Sequence, residues 1–346
     1  VGPPSGGTAV TVASKLHNVG TTIFTVMSRL AAEHGAINLS QGFPDFDGPA
    51  PLLARVTHYL THGYNQYAHM AGVPALREQI ASKVATLYGR AVDPETEITV
   101  TSGATEALFC AITALVRPGD EVILFDPAYD SYQPAVDLCG GITHRLPLAA
   151  PDFKPDWQRL RDTLNDRTRL IVLNTPHNPT ASVWDADDIA TLRELVRDRK
   201  LYLLADEVYE HIVFDGRRHE SLLRCPELYA RSLVVSSFGK TYHTTGWKLG
   251  YCIAPPSLTQ ELRRIHQYVT FCSNTPIQHA LADYMAEAPE HAQELSAFYQ
   301  AKRDRFLGLL AGSRFRFTPA AGTYFQLLDY SEISDEPDTE LAVRLT

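Results

Sequence analysis

RLIVLNTPHNPTASVWDADDIATLRELVRDRKLYLLADEVY, residues 169–209, holds a complete strand, loop, helix and strand in one stretch. Its two ends, 169–173 (RLIVL) and 201–205 (LYLLA), are short and apolar at almost every position, as expected for strands buried on both faces. Residues 187–197 between them carry a helical pattern. Working outward, the same kind of run recurs at 97–101 (EITVT), 121–125 (EVILF) and 232–236 (SLVVS), and 106–116 again reads as helix. This alternation predicts an α/β fold with a large, doubly wound, mostly parallel sheet. Ligands of such sheets sit beyond the carboxyl ends of the strands. The loops that follow the apolar runs are therefore the ones to read for chemistry.

The remaining chain sets bounds. At 346 residues, 45% hydrophobic and 21% charged, it is long enough for one large globular domain and a smaller one. A net charge of −9 argues against nucleic-acid binding, and no apolar run reaches the roughly 18–20 residues of a membrane span. The five cysteines, Cys110, Cys139, Cys225, Cys252 and Cys272, are scattered and lack CxxC spacing, which fits a reducing cytoplasm better than a disulfide framework or zinc site. His58 and His62 lie four apart without a third ligand, so no metal is expected. The first ten residues, VGPPSGGTAV, show no secretory pattern, and residues 1–20 read as a flexible tail. Residues 289–310 read as a long helix, 314–327 as hairpin-like strands, and the chain stops inside a helical pattern begun at Thr339. The expected division is an N-terminal segment (21–50) contributing to the small domain, a large domain (51–280) and a small α+β domain (281–346) that ends early.

Four loops after strands carry polar groups. Ser102-Gly103-Ala104-Thr105-Glu106 opens a helix with small residues, which suits either a simple cap or a phosphate. Asn174-Thr175-Pro176-His177-Asn178-Pro179-Thr180 is a proline-stiffened loop offering an amide. Asp206-Glu207-Val208-Tyr209 puts an acid at the end of an apolar strand, where it needs a cationic or hydrogen-bonding partner. Ser237-Phe238-Gly239-Lys240-Thr241 is followed by Lys248. Its Gly-Lys-Thr triplet is not a P-loop, since the first glycine of that motif would fall at Val234. Each loop alone has an ordinary structural explanation. Together they put a phosphate nest, an amide, a carboxylate with a tyrosine, and two lysines on one edge.

On these segments the chain resembles the fold-type I pyridoxal-phosphate enzymes, specifically the class I/II aminotransferases with their aspartate aminotransferase-like fold. The matching stretches are INLSQGFPDFDGP, NQYAHMAGVPALRE, TSGATEAL, FDPAYDSY, NTPHNPT, LADEVYE, SSFGKTYHTTGWKLGY and AGTYF. TTIFTVMSRLA, FDPAYDSYQPA, DEVYEHI and SSFGKTYHTTGWKLGYC are most similar to the methionine and kynurenine aminotransferase branch. The resemblance implies that Lys240 carries pyridoxal 5′-phosphate as a Schiff base and later moves the substrate's proton. It also implies that Asp206 pairs with the ring nitrogen and that Tyr209 and Asn178 bond the ring oxygen. Tyr129 would stack on the ring. Gly103, Ala104, Thr105, Ser237 and Lys248 would cradle the phosphate. Tyr67 would reach the phosphate of a neighbouring subunit, giving a homodimer with shared sites. Gly42 and Asn178 would contact the substrate carboxylate, and Phe24 and Tyr324 the side-chain pocket.

Two departures stand out. Ala181 replaces the glycine that usually follows this motif, and no arginine matches the family's substrate-carboxylate ligand, Arg344 falling too early. The chain is therefore expected to continue past Thr346. The implied activity is transfer of an amino group from methionine, an aromatic amino acid or kynurenine to a 2-oxo acid. Cysteine-conjugate β-elimination with the same cofactor, or a non-catalytic sensing module of this fold, are the alternatives.

Overall fold

The computed structural model describes residues 11–346, so the reading of VGPPSGGTAV lies outside the described residues. Strands β1 (Ile98–Thr101), β2 (Glu121–Asp126), β3 (Ile142–Pro147), β4 (Thr168–Asn174), β5 (Tyr202–Asp206), β6 (Ser232–Ser237) and β7 (Gly250–Ile253) form one sheet in the order β1-β7-β6-β5-β4-β2-β3. All neighbours are parallel except β7, which runs against both β1 and β6. The five apolar runs became strands within a residue or two of their expected ends.

Their continuous hydrophobicity has a two-sided cause. Leu170 and Val172 of β4, Leu204 of β5, and Leu233 and Val235 of β6 face one core with the helices Ala104–Leu115 and Pro256–Val269. The alternate residues Ile171, Leu173, Leu203, Ala205 and Val234 face a second core with the helices Pro74–Tyr88, Ala186–Val196 and Thr275–Glu287. Period-two alternation then buries an apolar side chain at every position. Each fully buried leucine, isoleucine or valine contributes about 1.5–3 kcal/mol. The Ala186–Val196 helix starts at a reciprocal cap: Asp185 accepts from the Asp187 and Asp188 amides while Asp188 accepts from the Asp185 amide.

Two strands escaped the sequence reading. β3 lies at the sheet edge and is polar (ITHRLP, with Leu146 alone fully buried), so it lacks an apolar run. β7 has four residues and starts with glycine. The hairpin expected over 314–327 does not form. Only isolated bridges, Arg316 to Asp329 and Val213 to Gly322, appear there. The Gln326 side chain instead bonds the Thr318 and Leu327 carbonyls and the Ala320 amide, replacing ladder bonds with side-chain bonds. The long helix Glu290–Leu310 and the final helix Asp338–Leu345 form as expected. The boundary expected near residue 280 falls inside the Thr275–Glu287 helix, whose Ile277, Leu281 and Met285 all join the second core. A third cluster joins Leu295 and Tyr299 of the long helix to Ala181, Tyr209 and Ile212 beside the strand ends, with Phe46, Tyr324 and Phe325 against it. No helix of the described residues is long and apolar enough to cross a membrane.

Candidate active site

β1, β2, β4, β5 and β6 end at one edge of the sheet, and the reversed β7 begins there. A cavity opens at this edge. It is lined by Gly103, Ala104 and Thr105 after β1, Tyr129 after β2, and Asn174 and Asn178 of the β4 end. Asp206 and Tyr209 at β5, Ser237 and Lys240 at β6, and Lys248 before β7 complete the wall. Residues drawn from five separate loops thus share one space.

One end of the cavity is built for an anion. The Ala104–Leu115 helix starts at Gly103, which has φ 84° and no side-chain cap, so its first amides and the positive end of its dipole are left to the cavity. A Cβ at Gly103 would sit 3.2 Å from Lys248 Cε and 3.3 Å from its Nζ. Gly250 matters for a different reason. A Cβ there would meet the Ser236 carbonyl at 2.7 Å and the Ala104 nitrogen at 2.8 Å, so only glycine lets β7 pass so close to the helix start. Burial first, then the charge of Lys240, lowers the Lys248 ammonium's affinity for its proton.

The opposite side carries a buried acid. Asp206 ends β5 and is 4% exposed. Burial pushes its carboxyl up to about 6, against the Tyr132 hydroxyl, the Val208 amide and the Lys240 charge, all of which favour the ionised form. Tyr132 donates to Asp206 Oδ2 at 2.6 Å. Asn174 pairs with Asp206 in the strand register. Its Nδ2 donates to the Asp206 carbonyl at 2.8 Å, and its Oδ1 accepts from the Asn178 amide at 2.7 Å. One amide thereby ties the acid's strand to the Asn178 loop. β6, which leads to Lys240, lies in the sheet between β5 and the strands of the anion end. Lys240 Nζ donates to the Tyr324 hydroxyl at 3.0 Å and the Gly42 carbonyl at 3.2 Å. A cofactor bearing a phosphate at one end and a basic ring nitrogen at the other fits this donor set, with the lysine amine between.

Gly42 and Tyr324, expected on the substrate side, come together at Lys240. Phe24 is half-buried in the helix Ile23–His34 and does not line the cavity. Tyr67 is 84% exposed, packs edge-on against Phe271 and also stands outside the cavity wall. His58 and His62 stack on each other, with His62 Nδ1 bonded to the His58 carbonyl. Glu106, Cys110 and His266 bring three ligand-type atoms within 4.8 Å, but these atoms already bond one another, the Ser102 amide and the Met70 carbonyl.

Sequence reasoning missed several supports. Tyr132 and Asn174 stood inside quoted motifs, yet only tertiary packing puts them on Asp206: Asn174 by the β4–β5 register, Tyr132 from the first turn of the helix Tyr132–Leu138. His177, buried, bonds Thr180 and so stiffens the Asn178 loop from within. Behind the cavity, buried Glu210 receives Lys83 at 2.6 Å and hydrogen bonds from Tyr88, Ser236 and Tyr251. Burial alone would raise the Glu210 carboxyl; the Lys83 ammonium and these donors hold it far below the usual range. Glu210 follows Tyr209 and Ser236 precedes Ser237, so this network pins two lining residues from behind.

Comparison with known proteins bears directly on this arrangement. The family model "Aminotransferase class I and II" matches residues 34–345. The methionine aminotransferase of Escherichia coli K12 is 55% identical over 333 residues, covering 96% of this chain and 86% of that protein. A probable N-succinyldiaminopimelate aminotransferase of Mycobacterium tuberculosis is 38% identical over 335 residues, 96% of this chain and 84% of its own. A crystal structure of an Escherichia coli protein, described as having a methionine aminotransferase function, superposes with a TM-score of 0.96 at 54% identity. It covers 98% of this chain and 88% of that one. The class and branch read from the motifs agree with these matches.

Proposed function

This chain belongs to the class I and II aminotransferases, and we propose that it binds pyridoxal 5′-phosphate at the strand-end cavity and takes the amino group of methionine. The acceptor is a 2-oxo acid. The observation that carries this is the order across one sheet edge: an uncapped helix start with Lys248, then Lys240, then the buried Asp206 carboxylate.

Gly103, Ala104, Thr105, Ser237 and Lys248 hold the phosphate, Tyr129 covers the ring, and Asn178 and Tyr209 bond its oxygen. Bound there, the cofactor supplies a ring that withdraws electrons from the substrate's Cα. Asp206 keeps a negative charge beside the ring nitrogen, and burial strengthens that pairing. Lys240 Nζ takes the Cα proton and holds it for return. Tyr324 and Phe325 pack edge-on near Tyr209 and help exclude water. Their aromatic faces suit a thioether side chain, which binds rings through its polarizable sulfur. This supports methionine alongside the 55% relative of that name.

Tyr67, exposed here, supports a homodimer in which it completes the neighbour's phosphate site. Five free cysteines support a cytoplasmic setting. The helix Glu290–Leu310 with the segments after it is the smaller domain, packed beside the strand ends through the cluster that holds Leu295, Tyr299 and Tyr209.

Lys240→Ala is the test: it should abolish the visible absorbance of the lysine-linked cofactor along with activity. Retention of both would refute the assignment. A donor panel of methionine, phenylalanine, kynurenine and a cysteine conjugate separates the substrates. A new amino acid indicates transfer, while pyruvate with ammonia from the conjugate indicates elimination.

A further inference from the structure

The Tyr324 ring packs with Tyr209 and Phe325, while its hydroxyl has surroundings of its own. Its hydroxyl lies 3.0 Å from Lys240 Nζ and 2.9 Å from the Gly42 carbonyl, and that same carbonyl lies 3.2 Å from Nζ. The three atoms close a triangle. Tyr324 has one proton and commits it to Gly42, so it turns only lone pairs toward the lysine. The Gly42 carbonyl is purely an acceptor. Both neighbours of the amine are therefore acceptors, and a neutral amine has two N–H groups to give. When both are given, the nitrogen lone pair is the direction left over, and it faces away from Tyr324 and Gly42.

We propose that Tyr324 and the Gly42 carbonyl form a cradle that receives the Lys240 amine whenever it is not bonded to the cofactor, making Tyr324 a positioning residue that aims the amine as a base. The inference rests on Lys240 being the proton-moving lysine. It adds where that amine rests and what turns it. The three corners come from distant parts of the chain: Gly42 is 198 residues before Lys240 and Tyr324 is 84 after it. Freeing the amine therefore also ties the N-terminal segment and the C-terminal segment to the strand edge. The Tyr324 ring is held independently of its hydroxyl, edge-on to Tyr209 at 5.3 Å and tilted on Tyr299 at 5.5 Å. Phenylalanine in its place keeps the packing and removes the hydroxyl, which is both the acceptor for the amine and the donor to Gly42.

The test uses the full chain with and without cofactor. A brief pulse of acetic anhydride, read by mass spectrometry, gives the labelling rate of Lys240 relative to exposed Lys15. In the cofactor-free protein, Tyr324→Phe should speed Lys240 labelling about tenfold, the equivalent of one hydrogen bond to an amine. With cofactor loaded, Lys240 is engaged and both proteins should resist labelling equally. Tyr299→Phe is the control, since its hydroxyl faces His243 Nδ1 at 3.0 Å; it should leave Lys240 unchanged. In single turnovers with Cα-deuterated methionine, Tyr324→Phe should lower the rate at least tenfold. The isotope effect should grow and KM should stay near the parent value. Unchanged labelling in Tyr324→Phe, or equal acceleration in Tyr299→Phe, overturns the cradle. Neither result touches the Lys240 assignment, which is decided by the absorbance of Lys240→Ala.

Discussion

Asp206→Asn should make the cofactor-free protein more stable at neutral pH, by an amount set by burial of the acid. The Asp206 carboxyl is displaced from the ordinary 3.8 to about 6, chiefly by burial. At 1.36 kcal/mol per pH unit that difference corresponds to ~3 kcal/mol. The sign follows from proton counting. Below about pH 4 the carboxyl is protonated in both folded and unfolded chains and contributes nothing. Between about 4 and 6 the unfolded chain releases the proton while the folded one keeps it, so stability falls as pH rises. Above 6 both are ionised and the full ~3 kcal/mol penalty is present. Asparagine cannot ionise, so the variant should lack this fall. Its new N–H₂ group lacks an evident acceptor, which costs about 1–3 kcal/mol, but equally at every pH. The quantity to measure is therefore the stability gap between variant and parent, by urea denaturation at pH 4 and pH 7 with m-values checked for equality. The gap should move by ~3 kcal/mol in the variant's favour on going from pH 4 to pH 7. A gap that stays constant, or moves toward the parent, refutes the claim that burial holds this carboxyl up.

Tyr132→Phe removes the main hydrogen bond to the Asp206 carboxylate, worth about 1.5–3 kcal/mol for a charged acceptor, so the same pH titration should shift upward by about 1–2 pH units. An unshifted midpoint would mean the hydroxyl is not a partner of the ionised form. Lys83→Met leaves Glu210 buried without its cation and should cost about 3–5 kcal/mol in denaturation, while adding Glu210→Gln should recover a good part of it. Equal losses in the single and double variants would show that the pair is not coupled. Ala181→Gly should change stability by less than about 1 kcal/mol. Relief of the left-handed backbone at φ 61° is worth about 1–2 kcal/mol, and it is offset by greater unfolded-chain freedom and the loss of a buried methyl. A stability change above 2 kcal/mol in either direction would show that one of those opposing effects is misjudged.

What could be read from the residues alone was whatever is encoded locally. RLIVL, LYLLA and SLVVS announce strands because burial on both faces demands an apolar side chain at every position, and that demand is visible without knowing the partner. Loops following such strands carry Asp206, Asn178 and Lys240 to one edge for the same reason, since parallel strands must all end there. Ala181 was legible as a departure, but its left-handed backbone was not. β3 and β7 stayed hidden: one is an edge strand with a solvent face, and the other is too short to show a period.

The fine geometry of the site belongs to the tertiary structure. Asn174 reaches Asp206 only because β4 and β5 pair in one register, and a slip of one residue would turn it to the other face. Tyr132 reaches the same acid across 74 residues, and Tyr324 meets Gly42 across 282. Such contacts depend on how whole elements pack, and no local pattern records that. The sequence by itself determined that an acid, an amide and two lysines would share a strand edge. Which atoms they would touch was decided by register and packing, because hydrogen bonds act over about 3 Å while a sequence pattern constrains position only to a face or an end.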